Sequence, residues 1–268
     1  MSGFTAEWLS LREPHDLAAR NSKVFGAVIA AFRRPPLRVV DLACGAGSTF
    51  RALHRHLPTP QHWDLVDHDP GLLALASNQA LDSVVTLSAV SLDLSRDVEA
   101  ALGGEINLIA TSALLDLVSE TWLHRFARSA AARAAPVYAA LTYNGATDIS
   151  PTDPFDTAIV SAVNTHQRTD KGFGAALGPS AASTAIASFE AVGYSVVSGP
   201  SDWMITPNHR TMQTELFNGW AKASHELGTL PSAEVDSWLQ RRTAAVGTGR
   251  STVRVGHVDF FAFPSSTR

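Results

Sequence analysis

The stretch Val39-Val40-Asp41-Leu42-Ala43-Cys44-Gly45-Ala46-Gly47 decides how this chain is read. An apolar run ends in an acidic residue, then turns through small residues toward a helix that starts near Ser48. Gly45 and Gly47 let the backbone approach a ligand closely, because no Cβ stands in the way. Asp41, at the strand end, can accept a hydrogen bond from an ammonium or from an ordered water. Taken alone, a Gly-x-Gly favours the plain reading of a tight strand-to-helix turn with no ligand.

Two carboxylates further along change that balance. A second apolar run, Trp63–Asp67, ends about 20 residues after the glycine turn. At that spacing a carboxylate can take both hydroxyls of a ribose. A third run leads through Val90-Ser91-Leu92 to Asp93, positioned to accept a proton from an adenine amino group. All three acids fall at the C-terminal edge of a parallel sheet, where ligands of such sheets bind. A dinucleotide phosphate loop reads Gly-x-Gly-x-x-Gly, but Phe50 occupies the third glycine position and Ala43 stands where another glycine is common. Without a pyrophosphate cradle, an uncharged nucleoside ligand fits better.

The rest of the chain supports an α/β fold. Strands are expected at Leu37–Ala43, Trp63–Asp67, Val84–Val90, Ile106–Thr111, Val137–Tyr143, Tyr194–Val197 and Val253–Phe263, with helices between them. Asp69-Pro70, Ser95 and Ser119 read as helix starts. The expected architecture is a doubly wound, mostly parallel seven-stranded sheet. Residues 1–36 would form an N-terminal helical cap, with one helix running from a cap at Asp16 to Phe32. Residues 37–268 would form the core, with lid or substrate insertions at about 144–178 and 203–250. The aromatic stripes of the two late helices, Met212–Leu227 and Val235–Val246, read as packing surface.

Composition narrows the function classes. Hydrophobic residues make up 45% and charged residues 17%, as in a protein with a well-filled core. A net charge of −4, with basic pairs only at Arg33-Arg34 and Arg241-Arg242, gives no reason to expect nucleic acid. No apolar run approaches the roughly 20 residues of a membrane span, and the N-terminus carries no secretory pattern. The only cysteine, Cys44, excludes an internal disulfide and a cysteine-based metal site, and fits a reducing compartment. A cytoplasmic location is therefore the expectation. His54 and His56 are two apart on a helix and cannot share a face, so no metal is expected. No Gly-x-Ser-x-Gly elbow and no Walker loop occurs.

In combination, these motifs resemble the class I S-adenosylmethionine-dependent methyltransferases. DLACGAG resembles that family's first motif, LVDHDP its second-strand acid and SLDL its adenine-contacting motif; Ala110–Asp116 resembles the stretch after the fourth strand. The resemblance covers roughly residues 37–143 and the final strand. It implies S-adenosylmethionine as cofactor, with Asp41 and the backbone of Ala43, Gly45 and Gly47 holding the methionine moiety. Asp67 would bind the ribose, with His68 against the adenine. Asp93 and Leu94 would read the adenine edge, and Thr111 and Ser112 would lie beneath the sulfonium. An arginine of the N-terminal segment would pair with the methionine carboxylate: Arg20 first, Arg12 in reserve, against a plain ion pair of Arg20 with Asp16.

Methyl transfer is an in-line displacement at an activated carbon, so the protein must align the acceptor and exclude water. Bases for an amine or hydroxyl acceptor would be Asp116, Tyr143 or His166, while His257 reads as a core histidine. The expected substrate is a small molecule; oligomeric state and acceptor identity are not legible. Two rivals stand: a non-catalytic S-adenosylmethionine-binding protein or partner subunit, and an aminopropyltransferase-like enzyme. The second would need an acidic channel, for which Asp148, Asp153 and Asp156 are available.

Overall fold

The computed structural model describes residues 4–79 and 82–265, so the outer ends of the cap and core expected above lie outside the described residues. Alternation along β1 (Leu37–Leu42) sends Leu37 and Val39 to one side of the sheet and Val40 and Leu42 to the other. Each side is covered by helices. On the Val39 side pack α2 (Ser22–Ala31), α3 (Ser48–Leu53) and α4 (Pro70–Ser77), around Trp63 and Phe50. On the Val40 side pack α5 (Leu94–Ala101), α6 (Glu120–Ala131) and α8 (Ala181–Ala191), around Trp122, Phe126 and Phe189.

The remaining strands are β2 (Gln61–Asp67), β3 (Val85–Ser91), β4 (Leu108–Ser112), β5 (Val137–Ser150), β6 (Tyr194–Pro200), β7 (Trp203–Ile205) and β8 (Thr252–Pro264). Their order is β3-β2-β1-β4-β5-β8-β6, with β7 added beside β8. The first five strands pair in parallel, and β8 runs antiparallel to both β5 and β6. This is the expected doubly wound sheet, with β7 as an eighth strand too short to be read in sequence.

Two boundaries differ from expectation. The N-terminal segment forms two helices, α1 (Ala6–Ala19) and α2, separated at Arg20-Asn21. Asn21 caps α2 through its side chain, while Asp16 lies inside α1. The first part of the 144–178 insertion is not irregular: β5 continues to Ser150 against β8, with register shifts after Ala139 and Tyr143. At the first shift Leu141 takes a φ of 54°, and its N–H is held by Asp259 Oδ1 at 2.8 Å. The β5–β8 ribbon carries β7, α7 (Asp156–His166), α9 (Arg210–Leu227) and α10 (Ser232–Gly247) around a third core containing Trp203, Phe217 and Trp238. The aromatic stripes are thus packing surface. No helix among the described residues is long and apolar enough to cross a membrane.

Candidate functional site

A cleft of about 490 Å³ opens at the C-terminal edge of β1, β2 and β4. Its floor is the turn Ala43–Ala46, with Asp67 and His68 from β2 and its end, and Asp93 and Leu94 from the β3–α5 connection. Ser112 and Ala113 follow β4. Over it lie Leu9, Arg12, Glu13 and Asp16 of α1, and Lys171 and Phe173 of the segment after α7.

The floor is held by hydrogen bonds that follow from the sheet. Parallel pairing of β1 with β2 brings the two strand ends together, so Asp67 Oδ2 accepts from Gly45 N at 2.9 Å. Its Oδ1 accepts from Asp69 N at 3.0 Å and lies 3.2 Å from His68 Nδ1. Two carboxylate oxygens offer about four acceptor positions, so capacity remains for a ligand hydroxyl. Asp69 caps α4, accepting from Gly71 N and Leu72 N at 2.8 and 3.2 Å.

The turn itself uses the left-handed region three times: Ala43, Gly45 and Gly47 have φ of 53°, 53° and 86°. The two glycines serve different neighbours. A Cβ on Gly45 would lie 3.2 Å from Leu9 Cδ1, so α1 seals directly onto the turn. A Cβ on Gly47 would lie 3.2 Å from the Ala76 Cβ of α4, so Gly47 serves helix packing and does not line the cleft. Ala43 takes the same conformation with a side chain, at a cost of about 1 kcal/mol.

Asp41 falls on the Val39 side of β1, toward α2, and neither of its oxygens has a partner. Burial lifts its carboxyl to about 8, opposed by the charge of Arg20. Arg20 Nη1 donates to Tyr138 Oη at 3.0 Å, while its Nε and Nη2 are buried without a partner. No ion pair joins Arg20 to Asp16 or Asp41 among the described residues. Instead Asp16 pairs with Arg12 at 2.9 Å and accepts from Trp203 Nε1, also at 2.9 Å. Arg20 and Asp41 thus face a common buried region next to the turn, and neither lines the open cleft.

Two residues expected near the cofactor bond to the protein itself. Thr111 points its hydroxyl at Leu42 O, 2.9 Å away, and does not reach the cleft. Asp93, not Ser95, caps α5: Asp93 Oδ1 accepts from Ser95 N at 3.0 Å and Ser95 Oγ at 2.6 Å. The bond from the Ser95 hydroxyl holds the Asp93 carboxyl below its usual range. Ser112 does line the cleft, and its hydroxyl has no protein partner.

None of Asp116, Tyr143 and His166 lines the cleft. Asp116 is buried, with Oδ1 unpartnered, and burial raises its carboxyl to about 6 against the pull of its neighbouring backbone and of Arg12. Tyr143 lies nearby and donates its hydroxyl to Asn164 Oδ1 at 2.7 Å. His166 stands apart, at the end of α7, with Nε2 2.9 Å from Glu226 of α9 and Nδ1 3.3 Å from Lys171 Nζ. His257 is buried, its Nδ1 3.1 Å from Val255 O, and burial followed by the charge of Arg12 lowers it to about 3.

The acids available for a polyamine channel are paired with arginines: Asp148 with Arg254, Asp153 with Arg241 and Asp156 with Arg242. None of these three lines the cleft, so they form no channel there, and Arg242 is buried in its pair with Asp156. Arg12, the reserve candidate, does line the cleft, while sequence reading missed Glu13, Arg51 and Lys171. Arg51 donates through Nε and Nη2 to both Glu13 oxygens, each at 2.6 Å, and through Nη1 to Ala46 O at 2.6 Å, tying α1 to the turn.

No family model matches the chain, and no curated protein matches it. Solved structures do. A cyclopropane-fatty-acyl-phospholipid synthase-like protein from Lactobacillus casei superposes with a TM-score of 0.57, at 14% identity, over 97% of this chain and 95% of that one. The YcgJ protein from Bacillus subtilis superposes with a TM-score of 0.51, at 15% identity, over 92% of this chain and all of that one. With the sheet order, these likenesses show the Rossmann-like class I methyltransferase fold.

Proposed function

We propose that this chain is an S-adenosylmethionine-dependent methyltransferase acting on a nitrogen or oxygen atom of a small molecule. The observation that carries this reading is the set of buried polar atoms without partners beside the glycine turn: both Asp41 oxygens, Arg20 Nε and Nη2, and Ser112 Oγ. Buried polar groups are normally satisfied, and an unpaired one costs about 1–3 kcal/mol. An amino acid zwitterion next to the turn would satisfy both sets, its ammonium on Asp41 and its carboxylate on Arg20. Asp67 and His68 would take the ribose and adenine, and Leu94 would pack against the base. Asp93 keeps Oδ2 for the adenine edge while Oδ1 holds the helix start. Bound there, S-adenosylmethionine supplies a methyl carbon already activated by a positive sulfur.

The chain's own contribution is alignment and the exclusion of water. Leu9 against Gly45 and the Glu13–Arg51 pair across the turn support α1 as the cover. The cleft volume of about 490 Å³ suits one adenosyl ligand with a small acceptor.

Calorimetric titration with S-adenosylmethionine and S-adenosylhomocysteine, with NAD as control, tests the reading. Micromolar binding of the adenosyl ligands alone supports it and opens a screen of radiolabelled methyl transfer to small amines and hydroxyls. Failure of a folded sample to bind either one overturns it.

A further inference from the structure

We infer that the acceptor taken by this cleft carries an anionic group beside an apolar body, and that Lys171 is the residue that recognises the anion. The inference rests on the methyltransferase reading for the word acceptor; the anion site itself rests on the geometry of the cleft wall.

Residues 170–175 form a tight hairpin, closed by a bridge between Asp170 and Ala175. Asp170 Oδ1 accepts from Gly172 N at 2.6 Å and Gly174 N at 3.0 Å, and both glycines have positive φ, 100° and 87°. Lys171 and Phe173, two residues apart, both line the cleft. Phe173 packs edge-on to Trp122 with ring centroids 5.6 Å apart, which fixes the hairpin to the α6 side of the core. The hairpin therefore presents one cation and one aromatic ring together.

The charges around Lys171 are otherwise settled. Of the cleft's other cations, Arg12 is paired with Asp16 and Arg51 with Glu13. Asp67, Asp69, Asp93 and Asp170 each accept from backbone N–H groups. Lys171 has no carboxylate at ion-pair distance among the described residues. Its Nζ donates to Thr169 Oγ1 at 3.0 Å and to His166 Nδ1 at 3.3 Å, both uncharged acceptors when the imidazole is neutral, leaving a third N–H. Glu226, accepting from His166 Nε2–H at 2.9 Å, selects the tautomer whose Nδ1 lone pair faces Lys171. His166 and Glu226 are thus positioning residues for the ammonium. Partial burial pulls the Lys171 pKa below its ordinary value, against the opposing charge of Glu226.

The ligand class follows. An anion would complete the Lys171 shell, and Phe173 and Leu117 would cover an apolar body beside it. On the methyltransferase reading the carboxylate of the adenosyl ligand goes to Arg20, away from the cleft wall that holds Lys171, so the anion at Lys171 would belong to the second substrate.

The chain holds three lysines, Lys23, Lys171 and Lys222, so ¹⁵N-lysine labelling gives an assignable set of Nζ signals, with Lys171→Arg fixing the assignment. Protein saturated with S-adenosylhomocysteine is titrated with benzoate, benzamide and phenyl phosphate. Benzoate or phenyl phosphate should move the Lys171 signal saturably, and the tighter of the two names the anion as carboxylate or phosphate. Benzamide should leave it in place. Lys171→Met should lower the affinity for the preferred anion on the order of tenfold, toward that of benzamide. His166→Phe, which removes the acceptor that orients the ammonium and keeps Glu226, should weaken anion binding without changing benzamide binding. A Lys171 signal unmoved by both anions, or equal affinity for benzoate, phenyl phosphate and benzamide, overturns the inference while leaving adenosyl binding intact. If S-adenosylhomocysteine itself does not bind, the methyltransferase reading fails first. The same titration on the ligand-free protein then still decides whether Lys171 is an anion site.

Discussion

Asp67 Oδ2 accepts the backbone N–H of Gly45 at 2.9 Å, so a carboxylate at the end of β2 holds the turn at the end of β1. One residue therefore shapes the floor of the cleft and presents the remaining lone pairs to a ligand. Asp67→Ala should weaken S-adenosylhomocysteine binding by about 1–3 kcal/mol through lost hydrogen bonds. Asp67→Asn, which keeps one carbonyl oxygen for Gly45, should lose less. Calorimetry checks both, and equal affinity of a folded Asp67→Ala protein would contradict the assignment.

Asp41 couples binding to protons. Its folded carboxyl titrates at about 8, above the ordinary 3.8, because it is buried. An acid raised on folding favours the folded state while protonated, so its contribution is present at low pH and is lost as pH rises between those two values. Asp41→Asn should therefore raise the melting temperature at pH 8 while weakening S-adenosylhomocysteine binding. In the unaltered protein, an ammonium at Asp41 favours the carboxylate, so binding at pH 7 should release protons. Titration in buffers of different ionisation enthalpy measures that release.

The Glu13–Arg51 pair joins α1 to the glycine turn with two bonds of 2.6 Å. Both side chains are only partly buried, so their effect on global stability should be small. Their effect should fall on the cover. Arg51→Met should speed release of S-adenosylhomocysteine several-fold in stopped-flow fluorescence, with the melting temperature nearly unchanged. Release at the unaltered rate would mean that the pair does not hold the cover shut.

His257 lies in β8 with its ring 4.8 Å from that of Trp203. Burial lowers its pKa from 6.5 to about 3. The unfolded chain binds that proton first, so stability should fall as pH drops from 6.5 toward 3. His257→Gln should flatten this acid limb, measured as urea midpoints against pH. A limb as steep as before would assign the acid loss to other groups.

Much of this was legible in sequence because strand ends and caps are local. Asp69 before Pro70, and Ser119 before its helix, both cap as their positions imply. Ser95 does not cap as expected: Asp93, directly before the first helical residue, takes that role. The break at Arg20-Asn21 was hidden because Asp16 read as the helix cap, whereas α1 runs through both Pro14 and Asp16 to Ala19. There tertiary packing prevails over local preference: Trp8 and Leu11 pack on the third core, and Arg12 pairs with Asp16 one turn on. Arg51 could not be read, because Glu13 meets it only through the fold, and Glu226 reaches the His166 beside Lys171 in the same way. The signal that pointed toward Lys171 was the polar, glycine-bearing run from His166 to Gly174, in which the histidine drew the attention due to the lysine.

β8 lies between β5 and β6, although it is the last strand in the chain. During synthesis the strands β1 to β5 can pair as they emerge, while β6 must wait for the chain beyond it. Until then the nascent sheet presents β5 as an open edge, which invites pairing with other chains. β8 carries Asp259, which holds Leu141 N–H at 2.8 Å and the Asn21 N–H between α1 and α2 at 2.9 Å. The junction of α1 and α2 is thus anchored by a strand 238 residues further along the chain. A ribosome-bound chain halted before residue 252 should therefore have a glycine turn and no cover, and the cleft becomes competent only once β8 has been made.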